Sequence, residues 1–314
     1  MTRILITGVT GFVGQGLVQR LIADKRLFRS AVRKTSDLPG DTVSIGDIGP
    51  ETDWASALDG IDTVLHLAGR AHVFGAERDP LTQFRTVNAL GTARLAEQSE
   101  AAGVRRFVLL SSVKAALDTS GLTPMTEAEP PAPRTPYGIS KLEGEQALRA
   151  AAGKMEFVIL RPPLVYGPGV RANFLALLKL VDRGIPLPLG SVRNLRSLIA
   201  RDNLVDAILH AADAPGAAGG TFYVTDGDAL STPGLIRALA RALDKPARLM
   251  LFPQGLMRAA ATALGRGEAA DSLLGSLVVN DAAFRAAIGW VPPLSSQAAF
   301  ADVAAWYKQA KGRI

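Results

Sequence analysis

Short apolar, β-branched runs alternate with stretches of helical spacing through the first half of the chain. Residues 3–7 (Arg-Ile-Leu-Ile-Thr) lead into a helical pattern over 12–23, and further strand-like runs stand at 28–33, 43–45, 63–67, 107–110 and 157–160. Apolar residues recur every three or four positions over 80–102 and 137–152, which predicts helices there. Strands alternating with helices predict an α/β domain built on a parallel sheet covered on both faces. Beyond residue 160 the regularity stops, and Pro162, Pro163, Pro168, Pro186 and Pro188 break the chain into loops and short elements. Helical spacing returns at 204–212, 235–243 and 298–310. Ser231-Thr232-Pro233 supplies a helix start, with a capping hydroxyl and a proline in the first turn. The pattern as a whole predicts a doubly wound domain carrying a smaller, mostly C-terminal cap, with a ligand crevice between them.

Composition narrows the function. The chain has 314 residues, 48% of them hydrophobic, which suffices for a large core without crosslinks. Its longest run free of charge, residues 286–301, carries Pro292 and Pro293 and is too short to span a bilayer. The first apolar run begins at Ile4, leaving no room for the charged start of a signal peptide, so a cytoplasmic protein is expected. With no cysteine and only His66, His72 and His210 among histidines, thiol chemistry is excluded and no metal is expected.

The net charge of +6 lies wholly in the second half, since residues 1–160 hold 18 basic and 18 acidic side chains. Over 161–201, Arg161, Arg171, Lys179, Arg183, Arg193, Arg196 and Arg201 stand against Asp182 alone. Dispersed among apolar residues and lacking a nucleic-acid module, these cations predict a small phosphorylated ligand rather than nucleic acid.

Two constellations carry candidate chemistry. Thr7-Gly8-Val9-Thr10-Gly11-Phe12-Val13-Gly14 follows the first strand and opens the first helix. Glycines at 8, 11 and 14 permit a tight turn, approach of a pyrophosphate to the backbone, and close packing of helix on strand. A dinucleotide site of this kind ordinarily has an acidic residue at the end of the second strand for the adenosine ribose. Here the stretch reads Ser30-Ala31-Val32-Arg33-Lys34, which predicts NAD(P) with a slight lean to NADP(H). In Pro136-Tyr137-Gly138-Ile139-Ser140-Lys141, a phenol and an ammonium four residues apart share one helix face. A phenol is a weak base at neutral pH, and a neighbouring ammonium together with an oxidised nicotinamide favours the phenolate.

Seven motifs stand in the order seen in extended short-chain dehydrogenase/reductases. They are Gly8/Gly11/Gly14; Asp47-Ile48 after the third strand; His66-Leu67-Ala68-Gly69 ending the fourth; Asn88 with Gly91-Thr92; Ser111-Ser112 after the fifth; Tyr137/Lys141; and Arg161 to Gly169 after the sixth. The resemblance covers nearly the whole chain. It is closest to the NAD-dependent epimerase/dehydratase branch, and in particular to bacterial surface-polysaccharide enzymes acting at C4 of UDP-linked hexoses and N-acetylhexosamines or their 4-keto-6-deoxy derivatives. It implies a Rossmann-type fold, with an NAD(P)-binding domain over 1–165 and a substrate-binding cap mainly over 166–314, whose segment 198–225 returns to the first domain.

Carried over by residue, the resemblance implies Tyr137 as acid/base, Lys141 as the ribose-binding residue that lowers the tyrosine pKa, and Ser112 as the hydrogen-bond partner of the reacting sugar oxygen, with Ser111 as its fallback. Gly8, Thr10, Gly11, Phe12, Val13, Gly14, Arg33, Lys34, Asp47, Ile48, Leu67, Ala68, Gly69, Asn88 and Pro163 join Tyr137 and Lys141 around the cofactor. Arg70, His72, Asn173, Phe174, Leu189 and Arg196 join Ser112 around the UDP-sugar. His66 reads as a packed or backbone-bonded histidine, not a general acid. One departure stands out: many relatives place another phosphate-binding arginine shortly before the segment Val279-Asn280-Asp281, and residues 270–280 contain none, so either Arg266 or another residue substitutes, or the grip on the diphosphate differs.

The expected reaction is therefore hydride transfer at C4 of a nucleotide-linked sugar, as 4-epimerase or 4-keto-sugar reductase. Two rivals are a non-catalytic NAD(P)-sensing regulator, which has no use for Ser112, Tyr137 and Lys141 together, and a reductase of an uncharged ketone, which has none for the positive segment. Homodimer pairing through helices around 82–102 and 137–152 is a further implication of the resemblance.

Overall fold

The computed structural model describes residues 3–34, 38–71, 79–263 and 273–312. Seven strands form one sheet: β1 (Ile4–Thr7), β2 (Phe28–Val32), β3 (Asp41–Ser44), β4 (Thr63–His66), β5 (Arg106–Leu110), β6 (Glu156–Arg161) and β9 (Thr221–Tyr223), in the spatial order β3-β2-β1-β4-β5-β6-β9. Every neighbouring pair is parallel. Successive residues of a strand point to opposite faces, and both faces are covered. Ile4 and Ile6 pack with Leu17 and Leu21 of α1 (Phe12–Ala23) and with Leu204 and Ile208 of α7 (Arg201–Asp213). Leu5 packs the other way, with Trp54, Leu95 of α4 (Gly91–Ala101) and Leu148 of α5 (Pro136–Ala151).

The strand order reverses between β1 and β4, so the crevice for a ligand opens at their C-terminal ends. Thr7 and His66 are register partners there.

The helix expected over 80–102 is three pieces. α3 (Pro80–Arg85) passes into a π-helical turn, Thr86–Leu90, before α4 begins. The extra residue of the π turn holds Asn88 inward, and such turns recur at functional sites. α5 begins on a double signal: Pro136 occupies the first turn, and the Thr135 hydroxyl accepts from the Gly138 amide at 3.3 Å.

A second, three-stranded sheet is built from β7 (Leu164–Tyr166), β8 (Arg196–Ala200) and β10 (Ala229–Leu230), with β8 central. Its core joins Tyr166 to Phe174 of α6 (Ala172–Asp182), Leu239 of α8 (Thr232–Ala242) and Phe300 of α11 (Ser296–Ala310). The Tyr166 ring stacks on Phe300 at 4.7 Å and on Phe174 at 5.7 Å. Further helices are α2 (Ala55–Leu58), α9 (Gln254–Ala263) and α10 (Ala282–Ile288). No helix among the described residues is long and apolar enough to cross a membrane.

Candidate active site

The glycine turn is shaped by contacts that exclude side chains. Gly8 adopts φ +76°, and a Cβ there would lie 2.7 Å from the Ala68 amide nitrogen. A Cβ on Gly14 would lie 2.1 Å from the Gly8 carbonyl oxygen. The Gly11 amide donates to that same oxygen at 3.0 Å and caps α1. The first turn of α1 contains no acidic residue, so its exposed amides and positive end are left to an anion. This cradle fits a dinucleotide pyrophosphate. Thr10 is exposed and Val13 half-buried on it, while the Phe12 ring turns toward the loop at 167–169 and lies 5.7 Å beneath the Arg201 guanidinium. Leu67, Ala68 and Gly69 follow β4 beside it, and Pro163 is buried just past β6.

His66 is fixed as a neutral packing residue. The Thr92 hydroxyl donates its proton to the Asn88 carbonyl at 2.8 Å, so it accepts from His66 Nε2 at 3.1 Å. Nδ1 of the neutral ring then accepts from the Thr7 hydroxyl at 2.7 Å, and that hydroxyl also accepts from the Ala68 amide at 3.1 Å. Burial and the nearby Lys141 ammonium pull the His66 pKa down to about 3. Its partners are side-chain hydroxyls, not the backbone.

Ser112, Tyr137 and Lys141 meet at the C-terminal end of β5. Ser112 caps the short turn Val113–Ala115, its Oγ accepting from the Lys114 amide at 3.2 Å, which leaves its own proton to donate. Burial pushes the Tyr137 phenol pKa up, and a hydrogen bond from Ser112 draws it down. Phe84 meets the Tyr137 ring edge-on at 5.8 Å. Lys141 is buried and donates to the Leu110 carbonyl at 2.8 Å, and burial pulls its pKa to about 8 while Glu145 opposes that shift. A Cβ on Gly69 would lie 3.8 Å from Lys141 Nζ, which places the ammonium under the β4 loop.

Asn88 is a clamp. Its Oδ1 accepts from the Arg70 amide at 2.8 Å, and its Nδ2 donates to the Arg70 carbonyl at 2.9 Å and to Ser140 Oγ at 3.0 Å. One amide thus ties the β4 loop to α5. Ser111, the fallback hydroxyl, is already committed to the Glu145 carboxylate.

Some site residues escaped sequence reasoning. Glu145 takes two hydrogen bonds from the buried Arg161 guanidinium, at 3.0 and 2.6 Å. Asp118 accepts from the Arg134 and Thr135 amides at 2.7 and 3.1 Å and from the Thr135 hydroxyl at 2.8 Å, anchoring the start of α5. Thr135-Pro136 was readable as a helix start; no spacing rule pointed to Asp118.

A profile of the NAD dependent epimerase/dehydratase family matches residues 4–224, from β1 through β9. The chain belongs to this family. It is 41% identical over 319 residues to a UDP-glucose 4-epimerase of Vibrio cholerae, across 99% of this chain and 97% of the relative. It is similar to the solved structure of MoeE5 in complex with UDP-glucose and NAD, with a TM-score of 0.76 and 25% identity over 98% of this chain and 99% of that one. The fold also matches UDP-N-acetylglucosamine 4-epimerase from Bacillus cereus, with a TM-score of 0.80 and 19% identity over 98% and 100% of the two chains.

Within this epimerase/dehydratase chain, the remaining predicted contacts divide. Arg33 forms an exposed ion pair with Asp47 at 2.7 Å, and Lys34 is exposed beside it. Ile48 lies on the next turn, where a Cβ on Gly91 would meet its Cγ2 at 2.5 Å. On the cap side, Asn173 is exposed in the first turn of α6, whereas the Phe174 side chain is committed to the cap core, leaving only its backbone for a ligand. Leu189 is half-buried against that core. Arg196 opens β8, with its guanidinium donating to the Gly275 carbonyl at 3.2 Å. Burial lowers its pKa, and no carboxylate among the described residues pairs with it. None of Asn173, Leu189 and Arg196 hydrogen-bonds to the Ser112, Tyr137 and Lys141 group. His72 and Arg266 lie outside the described residues. The positive stretch at 161–201 is also smaller than it reads, because Arg161 is taken by Glu145, and Arg201 by Asp202 and the Pro168 carbonyl.

Proposed function

We propose that this family member is an NAD-dependent 4-epimerase of a UDP-linked hexose or N-acetylhexose, serving surface polysaccharide biosynthesis. The observation that carries the reading is the convergence of Ser112, Tyr137 and Lys141 beside a glycine turn whose open helix amides suit a backbone-hugging phosphate. The Vibrio cholerae relative and the UDP-glucose complex of MoeE5 support the choice of nucleotide sugar.

In this reading the turn at 8–14 holds the pyrophosphate, Asp47 and Ile48 flank the adenosine, and Lys141 binds the nicotinamide ribose. Bound on this turn, NAD would supply a reversible hydride acceptor for C4 of the sugar, and inversion would require return of the hydride to the opposite face. Tyr137 removes the proton of the C4 hydroxyl and gives it back to the same oxygen. Ser112 donates a hydrogen bond to that oxygen and keeps it within reach of the phenol. Burial makes Tyr137 hold its proton, and before a sugar binds the Ser112 hydrogen bond partly counters that. Asn88 fixes the loop that covers the ribose. Arg196, with the Asn173 and Phe174 backbone, takes the diphosphate. The reading extends to a homodimer joined through α4 and α5.

The same residues serve a 4-keto-sugar reductase, and the cations at 33 and 34, which suit a 2′-phosphate, favour that second reading. Purified protein incubated with UDP-glucose, UDP-N-acetylglucosamine and a UDP-4-keto-6-deoxy sugar, followed by sugar NMR and nicotinamide absorbance, distinguishes them. Conversion of the sugar without net cofactor turnover is the expected result. Stoichiometric loss of reduced cofactor would make it a reductase, and no conversion of any of the three would overturn the UDP-sugar reading.

A further inference from the structure

Ser112 and Tyr137 stand at the two ends of the connection from β5 to α5, and that connection folds back on itself. The Ala132 amide donates to the Ala116 carbonyl at 2.7 Å, and Asp118 holds the Arg134 and Thr135 amides at the foot of the helix that carries the phenol. A shift of the connection therefore reaches both hydroxyls.

Residues 276–280 run alongside this connection, and alternate residues of the segment bond to opposite sides. Toward the connection, the Ser120 and Met125 amides donate to the Ser276 and Val278 carbonyls at 2.8 and 3.0 Å. The Val278 and Asn280 amides donate in return to Ser120 Oγ and the Met125 carbonyl, both at 2.8 Å. Toward β8, the Leu277 amide donates to the Leu195 carbonyl and its carbonyl accepts from the Ser197 amide, both at 2.9 Å. The Val279 amide donates to Ser197 Oγ at 3.1 Å. This is the two-residue alternation of a strand with partners on both edges. β8 opens with Arg196, whose guanidinium reaches the Gly275 carbonyl at 3.2 Å, one residue before the segment. The buried Asn194 amide fixes that end by donating to the Leu273 and Gly275 carbonyls at 3.2 and 3.0 Å. One short segment thus joins the strand that carries Arg196 to the loop that carries the acid/base group.

A nucleotide sugar must present C4 to Tyr137 while its diphosphate lies at Arg196, so turnover depends on the span between the two. We propose that Ser120 is a positioning residue that sets this span. Its amide and its hydroxyl bond to the segment on either side of Leu277, and its own proton is committed to the Gly121 carbonyl at 2.8 Å, which holds the oxygen as an acceptor. Ser120 lies outside the group of Ser112, Tyr137 and Lys141. It acts on them through Asp118, two residues earlier, and the start of α5. Met125 makes a second pin, so loss of the Ser120 hydroxyl loosens the span without releasing it. The inference rests on Arg196 holding the diphosphate and deepens that reading.

The test is a double-variant cycle on kcat and KM with UDP-glucose or UDP-N-acetylglucosamine, whichever the wild type converts. Ser120→Ala should lower kcat about tenfold, the size of one hydrogen bond lost from the transition state, with inhibition by UDP and dinucleotide affinity unchanged. Ser120→Thr, which keeps the oxygen, should turn over like wild type. In an Arg196→Ala background the Ser120→Ala change should lower kcat/KM by less than about threefold, because the diphosphate end of the span is then no longer fixed. A tenfold loss in both backgrounds would mark general loosening and overturn the proposal. So would an unchanged kcat in Ser120→Ala, a Ser120→Thr variant as slow as Ser120→Ala, or a Ser120→Ala protein that melts well below wild type. Arg196→Ala with a wild-type KM would instead overturn the diphosphate reading, and no turnover of either sugar would overturn the UDP-sugar reading; the proposal falls with each.

Discussion

Lys141 is pinned to the Leu110 carbonyl oxygen through a 2.8 Å hydrogen bond, at the end of the strand that presents Ser112. Holding an ammonium there is costly, because burial lowers its pKa from 10.5 to about 8. Below pH 8 the lysine is protonated folded and unfolded alike, and its desolvation weighs fully against the fold. Between pH 8 and 10.5 the unfolded chain binds more protons, so stability rises with pH. Lys141→Met should therefore be more stable than wild type at pH 7 by roughly 2 kcal/mol, after about 1 kcal/mol is subtracted for the lost hydrogen bond. Denaturant titrations should show the gain shrinking toward pH 10. Turnover of the same variant should fall about 10²- to 10⁴-fold.

Tyr137→Phe separates proton transfer from packing. The Phe84 ring contact at 5.8 Å survives the change, and the hydroxyl alone is lost. Turnover should drop about 10²- to 10⁴-fold, with dinucleotide affinity by calorimetry close to wild type. Near-normal turnover would remove Tyr137 as the proton carrier.

Much of this was legible in the sequence for a physical reason. The six strands of the first domain and the glycine turn follow from local rules, short continuous apolar runs and sterics at Gly8 and Gly14 that only a missing side chain relieves. The Tyr137 and Lys141 pair is legible because a helix fixes its geometry over one turn. What local rules cannot supply is pairing across sequence. Glu145 meeting Arg161 and Arg33 meeting Asp47 depend on which elements become neighbours, and Asp118 meeting Thr135 depends on how the connection between β5 and α5 folds back on itself. The π turn at Asn88 escaped for a related cause, since the apolar spacing over 80–102 tolerates one inserted residue. The cap strand Arg196–Ala200 escaped because the alternation of strand and helix that marks the first domain has lapsed by that point in the chain.

Glu145 and Arg161 are both nearly inaccessible, so neither can find water if the other is removed. Glu145→Gln should destabilise the protein by roughly 3 kcal/mol, leaving an uncompensated guanidinium under the active site and loosening Ser111. A urea unfolding midpoint unchanged from wild type would show that the pair contributes little.

The Arg33 and Asp47 ion pair bears on cofactor choice. While Asp47 holds the guanidinium, a carboxylate stands where a 2′-phosphate would need the arginine. Asp47→Ala frees Arg33, and the ratio of NADP to NAD affinity should rise about fivefold, an effect typical of one exposed charge pair. Arg33→Ala should move the ratio the opposite way. Fluorescence titration with each reduced cofactor measures both.

Arg196 presents a different economy. Its guanidinium is half-buried, has the Gly275 carbonyl as an acceptor, and has no carboxylate partner among the described residues, so in the ligand-free protein its charge is held at a cost. A cation kept that way is poised for an anion arriving from outside, and a bidentate phosphate contact is the compensation its geometry allows. Arg196→Ala should raise KM for the nucleotide sugar by about 10- to 100-fold, the loss of a charged hydrogen bond worth roughly 1.5–3 kcal/mol. Dinucleotide affinity should stay unchanged, and thermal stability should not fall, because the side chain removed was an uncompensated charge. A variant that loses dinucleotide binding or melts well below wild type would show instead that Arg196 serves the fold.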